Sequence, residues 1–192
     1  LKNALSAHRD AMRTTLIPGL LDNVASNLRY QSGVHLFEFG RTYFDLGDDT
    51  VEIDMVAMIA TGSRREAFWG NQDPGTAIGE TFRLFDLKGI VNTLTGRLGV
   101  PALTYEALEA DALTPGQAFL IRSNGTQVGY VAEVDPATAE AFGIEDRKVY
   151  AAELQLEPLL AQASEMNLQF TGLATQPAVF RDLSLLVSRE VP

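Results

Sequence analysis

Residues 34–46 read VHLFEFGRTYFDL, an apolar run with Glu38, Gly40 and Arg41 set into its middle. A carboxylate and a guanidinium inside a hydrophobic strand have the composition of an active-site wall. Side chains alternate across a strand, so Leu36, Glu38, Gly40, Thr42 and Phe44 are expected on one face, and Phe37, Phe39, Arg41 and Tyr43 on the other. Glu38 is therefore expected among apolar neighbours, where an ionised carboxylate is costly unless paired. Arg13, just ahead of the first expected helix, is the expected partner.

Other groups able to do chemistry are few. Histidine occurs only at positions 8 and 35, and no HExxH, GxSxG or phosphate-loop motif is present. Cysteine is absent, which removes disulfides, thiolate catalysis and cysteine-ligated zinc together. Asp45, Asp48, Asp49 and Glu52 could in principle offer oxygen ligands to Mg²⁺ or Ca²⁺, but EF-hand spacing is missing and a solvated hairpin tip is the simpler reading. Lys88-Gly89 at a helix start could suggest a phosphate contact, but a first-turn lysine beside an N-terminal aspartate is more often just surface, with Asp86 as N-cap.

The elements that must position these residues follow from periodicity and breakers. Ile17, Leu20, Leu21, Val24 and Leu28 fall at helical spacing, with Pro18 in the first turn and Gly33 after the end. The strand 34–46 comes next, then the turn DLGDDT and a second strand over 51–60, so a hairpin is expected. Residues 64–79 are polar and rich in Gly, Pro and Asn, a long loop carrying the sole tryptophan, Trp69. Leu87, Ile90, Val91, Leu94 and Leu98 mark a second amphipathic helix from Phe85, closed by Gly99 and Pro101. Two strands flank Asn124-Gly125, a strong hairpin signal. A short helix over 136–142, a strand over 149–156, a short helix over 157–162, a linker over 170–176 and a final strand over 178–188 complete the chain. Hairpins with interspersed helices and no regular βαβ alternation predict an α+β fold, a mainly antiparallel sheet flanked by helices.

Composition narrows the function class. With 192 residues and 46% hydrophobic content the chain can build a substantial core. It holds no apolar run of membrane-spanning length and no basic leader, so a cytoplasmic location is the default expectation. The 25 acidic against 15 basic residues give a formal charge of −10, which opposes direct binding to a phosphate backbone. A start at Leu1 and a stop at Pro192, just after a strand-like run, suggest a piece of something longer.

Three blocks in order, MRTTLIPGLLDNVASNLRYQSGVHLFEFGRTYF, FDLKG and PGQAFLIRSNGTQVGYVAEVDP, resemble the β subunit of bacterial phenylalanyl-tRNA synthetase over nearly the whole chain. The resemblance implies a core domain over residues 1–170, similar to the catalytic domains of class II aminoacyl-tRNA synthetases. It also implies a linker and the first strand of a truncated ferredoxin-like anticodon-binding domain over 171–192. In that family the matching region is a non-catalytic counterpart of the α subunit. The implied role is a scaffold and α/β interface in an α2β2 heterotetramer that attaches phenylalanine to tRNA(Phe) at the expense of ATP.

Active class II enzymes carry in their second motif a strand like FEIGRNFRNE, whose second arginine holds the ATP α-phosphate and whose last glutamate helps hold the nucleotide. Over 37–46, Phe44 stands where that arginine would be and Leu46 where the glutamate would be. The resemblance thus leaves Arg13, Glu38, Gly40 and Arg41 as structural remnants, with no catalytic, cofactor or metal residue in this stretch. A looser match puts Glu157 near the arginine of the third motif. ATP and Mg²⁺ belong to the whole enzyme, and the family's Mg²⁺-binding and editing domains are expected upstream of Leu1. Leu20, Leu21, Val24 and Leu28 pack either inward as core or partly against the α subunit. Two other readings stand beside this one: an active class II ligase domain, against which Phe44 and Leu46 argue, and an unrelated α+β interaction module.

Overall fold

The computed structural model describes residues 11–47, 49–64 and 81–164, with Asp182, Ser184 and Leu186 as isolated positions. His8, Asp48, Trp69, the expected linker and nearly all of the expected final strand lie outside the described residues. Helix α1 (Ile17–Asn27) forms where the apolar stripe begins, with Pro18 in its first turn, where a missing N–H costs nothing. Its buried side is Ile17, Leu20, Leu21 and Val24. The chain reverses into β1 (Gly33–Asp45) and returns as β2 (Thr50–Gly62), paired without a break from Gly33 opposite Gly62 to Asp45 opposite Thr50.

Helix α2 (Leu84–Arg97) starts slightly earlier than expected, and its cap corrects the sequence reading. Arg83, not Asp86, is the N-cap; Asp86 sits at the third helical position, and its carboxylate accepts a 2.8 Å hydrogen bond from the Arg83 backbone N–H. The acid still serves the helix start, because a carboxylate one turn in can reach back to the orphan donor ahead of it. Strand β3 (Leu103–Ala107) has no counterpart among the expected elements. It is short and half polar, with a tyrosine and a glutamate, and is held by pairing to β4 (Leu113–Ser123) rather than by its own pattern.

The turn to β5 (Thr126–Val134) uses Asn124 at φ 47° and Gly125 at φ 79°, the left-handed pair that suits a two-residue hairpin. Asp135 caps α3 (Pro136–Ala141) by accepting from the N–H groups of Ala137 and Thr138. Strand β6 (Val149–Gln155) runs directly into α4 (Leu156–Leu160).

Among the described residues all strand pairs are antiparallel, in the order β1-β2-β6-β5-β4-β3, so the last described strand lies inside the sheet between β2 and β5. The expected α+β architecture is therefore present. Each face of the sheet carries its own core. On one, α1 and α3 pack with Val34, Met55, Ala57, Ile59, Val149 and Ala151. On the other, α2 and α4 pack with Val56, Ala60, Val131, Tyr150, Ala152 and Leu154. Successive residues of β2 and β6 enter opposite cores, which is why those strands read as continuous apolar runs rather than alternating ones.

Candidate functional site

The strand with Glu38 and Arg41 is an edge strand, and this decides the surroundings of both residues. Glu38 faces the α1 side but keeps 29% of its side chain exposed, so the expected burial is corrected to a half-buried position at the rim. Arg13 meets it there: its Nη1 donates to Glu38 Oε1 at 2.6 Å. The same guanidinium donates from Nε to the Arg41 carbonyl at 2.9 Å, and the Arg13 carbonyl accepts from Tyr43 N–H at 2.9 Å. Residue 13 is thus stitched along the outer edge of β1. Gly40 makes room for this, because a Cβ there would run into Arg13 Nη2 and crowd the Leu16 methyl.

Deeper on the same face the segment Arg13-Thr14-Thr15-Leu16 is drawn over the sheet by a carboxylate the sequence reading missed. Glu153, on the central strand β6, is 4% exposed. It accepts from Leu16 N–H at 2.7 Å, from Thr15 Oγ1 at 2.9 Å and from Tyr130 OH at 3.3 Å. Helix α1 has no side-chain cap of its own, and Glu153 supplies a negative charge at its N-terminus from another element. Burial, followed by the nearby Glu153 charge, raises the Tyr130 hydroxyl above its ordinary value, so it stays protonated and donates. Thr15 and Leu16 occupy this face themselves, Leu16 being fully buried.

The face so built holds one ion pair and one buried carboxylate satisfied by neutral donors. A domain model described as the phenylalanyl-tRNA synthetase beta chain CLM domain matches residues 1–156. The chain belongs to this family. It is 34% identical over 193 residues to the phenylalanine–tRNA ligase beta subunit of Dehalococcoides mccartyi strain 195, aligned over 100% of this chain and 23% of that protein. It is 36% identical over 194 residues to the same subunit of Pseudomonas putida, over 100% of this chain and 23% of the relative. The Bacillus subtilis subunit is 33% identical over 192 residues, 97% of this chain and 23% of the relative. This member of the family therefore spans about a quarter of the length of the relatives it matches.

The other residues singled out in the sequence fall in this CLM domain as follows. Phe44, near the end of β1, is 38% exposed and lies opposite Val51; Leu46, in the turn beyond, is 69% exposed. Both are apolar surface at the turn end of the hairpin. Arg41 projects to the opposite side, where it pairs with Glu52 at 2.8 Å and Asp54 at 3.0 Å across the strand. Hydrogen bonding to Asp54 is the largest cause of its raised pKa. Asp45 accepts from Gly47 N–H and Asp49 from Thr50 N–H, so these carboxylates shape the turn. Among the described residues no group of three or more acids or histidines is arranged to hold a metal ion.

Leu20, Leu21 and Val24 are fully buried in the α1-side core and Leu28 packs partly against it, so their burial is accounted for within the chain. Lys88 lies near the start of α2. Its Nζ stands 3.7 Å from the Tyr105 ring centroid, with Phe119 and Phe85 at 5.6 and 5.9 Å, and this cation–π contact ties α2 to β3 and β4. A second buried carboxylate, Glu133, accepts from Lys148 Nζ at 3.1 Å, and this hydrogen bond raises the Lys148 pKa. Both buried acids were legible by the signal that picked out Glu38. YVAEV and AAELQ each set a glutamate into an apolar strand.

Proposed function

We propose that this chain is a non-catalytic, class II synthetase-like core of a phenylalanine–tRNA ligase β subunit, serving as scaffold and subunit-interface element of the α/β enzyme. The observation that carries this reading is the end of β1, where Phe44 and Leu46 offer apolar surface at the positions that would hold a nucleotide. A phosphate needs preorganised donors, each worth on the order of 3 kcal/mol to a transition state, and a phenyl ring supplies none. Further support comes from the α1 face, where Thr15, Leu16 and the Arg13–Glu38 pair pack over the sheet and satisfy its carboxylates from within the chain. The junction of β6 and α4 supports it too, because Glu157 stands in the first turn near the expected place of a third-motif arginine. In this reading ATP, Mg²⁺, phenylalanine and tRNA(Phe) are handled by the whole cytoplasmic enzyme, an α2β2 assembly. Residues 171–192 begin the next domain.

The test is calorimetric titration of the chain with ATP and Mg²⁺. No saturable heat is expected, whereas saturable, Mg²⁺-dependent binding would overturn the assignment. Co-purification of the β subunit with its α subunit, expected here, separates a scaffold from an unrelated interaction module.

A further inference from the structure

The two edges of the sheet are protected unequally. Strand β3 is five residues long, and Arg122 of the neighbouring strand forms a 2.9 Å salt bridge to its Glu106. Short length and charge are the usual devices that keep an edge from pairing. Strand β1 has thirteen residues, and its pairing to β2 is free of bulges. The contacts of Arg13 identify which backbone groups point away from β2: Tyr43 N–H and the Arg41 carbonyl are outward, so odd-numbered residues face the edge. The N–H and C=O groups of His35, Phe37 and Phe39 therefore line the outer edge, and among the described residues nothing bonds to them there. Glu38, the one charge that could deter pairing along this stretch, is neutralised by Arg13.

The side chains of the same residues make this edge adhesive. Phe37 and Phe39 are 69% and 62% exposed, edge-to-face with ring centroids 6.0 Å apart. Behind them lies a cleft of about 370 Å³ lined by Met58, Leu87, Ile90 and Leu94. On the other face of the sheet α1 covers β1 and β2; on this face α2 lies over β5 and β6 and α4 reaches β2, while Phe37 and Phe39 of β1 stay exposed. Unpaired backbone groups, exposed aromatic side chains at alternate positions and an apolar cleft together fit recognition by strand addition.

We infer that the outer edge of β1 over residues 35–39 receives an extended segment of a partner subunit, apolar at alternate positions, whose side chains cover Phe37 and Phe39 and enter the cleft beside α2. This rests on the subunit reading above and gives that interface a place. A second copy is disfavoured as the occupant because two chains that each carry a formal charge of −10 repel one another.

The test uses Phe37→Pro in the full-length β subunit, titrated against the separately purified α subunit of the same ligase. Proline on an edge strand removes an outward N–H without breaking the ladder to β2, so the fold is retained while strand addition is blocked. The expected result is affinity weakened by about tenfold or more, with Phe37→Leu changing it by no more than about threefold. Phe39→Lys, which leaves the backbone intact and charges the aromatic patch, is expected to weaken binding as well. Thermal melting of each variant checks that the fold survives. Wild-type affinity in both Phe37→Pro and Phe39→Lys would overturn the edge assignment while leaving the subunit reading intact. Failure of the wild-type β subunit to bind the α subunit would overturn both. A β-subunit self-association that Phe37→Pro dissolves, with α binding unaffected, would assign the edge to a second copy and overturn the inference.

Discussion

Glu153 carries more of the structure than the pair that the sequence makes conspicuous. It gathers Leu16 N–H, Thr15 Oγ1 and Tyr130 OH around one buried carboxylate, and its loss would leave those donors facing an apolar interior. We expect Glu153→Ala to cost about 3 kcal/mol or more in urea unfolding, since stranded buried polar groups each cost on the order of 1–3 kcal/mol. Glu153→Gln should fall between that variant and wild type, because it retains one acceptor oxygen. The Arg13–Glu38 pair at the half-exposed rim is worth less, with a typical exposed pair contributing about 0–1 kcal/mol. Tyr130 adds a pH dependence of known sign. Its folded pKa is raised above the ordinary value of 10.0, mainly by burial, so below that value both states keep the proton and nothing is lost. As pH rises past it the unfolded chain ionises first and stability falls. Melting temperatures measured from about pH 9 to about pH 11 should drop less steeply in Tyr130→Phe than in wild type. A residual slope is expected, because burial also raises Tyr105 and Tyr150.

Among the elements, the β4–β5 turn and α1 were legible in the sequence because local chemistry dictates them, although β4 starts at Leu113, ahead of the QAFLIRS run that marks it. Asn124-Gly125 occupies left-handed backbone that few residue pairs tolerate, and the stripe Leu20, Leu21, Val24 needs one face of a helix. Gly125→Ala at φ 79° should destabilise by about 1 kcal/mol through strain alone, as a Cβ there meets open space. Differential scanning calorimetry would register this as a lowered midpoint. The start of α2 was less legible, since Asp86 has the right chemistry for a cap at either of two positions and only the path of Arg83 chooses between them. Strand β3 was invisible because its alternation is weak. Its order comes from β4 and from Tyr105, which holds Lys88 over its ring and donates from its hydroxyl to Asn92 Oδ1 at 2.7 Å.

At the scale of the molecule, the charge of −10 makes a prediction that no single residue does. In gel-shift titrations at low salt the isolated chain should not retain tRNA, and a shift that weakens steeply with added salt would contradict this. Fold class, the helix stripe, the hairpin turns and the apolar character of Phe44 and Leu46 were all set by residue identity and short-range spacing, so the sequence by itself determined them. Apart from the Arg13–Glu38 pair, exposure and neighbours were not. Strand β6 comes last in sequence among the described strands but lies between β2 and β5, and that placement buries Glu153 and carries it to the start of α1. The first strand became an edge, which left Glu38 half exposed and set Phe37 and Phe39 facing solvent. Period-two alternation states which side chains share a face, but whether a face or an edge is covered depends on strands and helices far along the chain. Only the tertiary structure decided that.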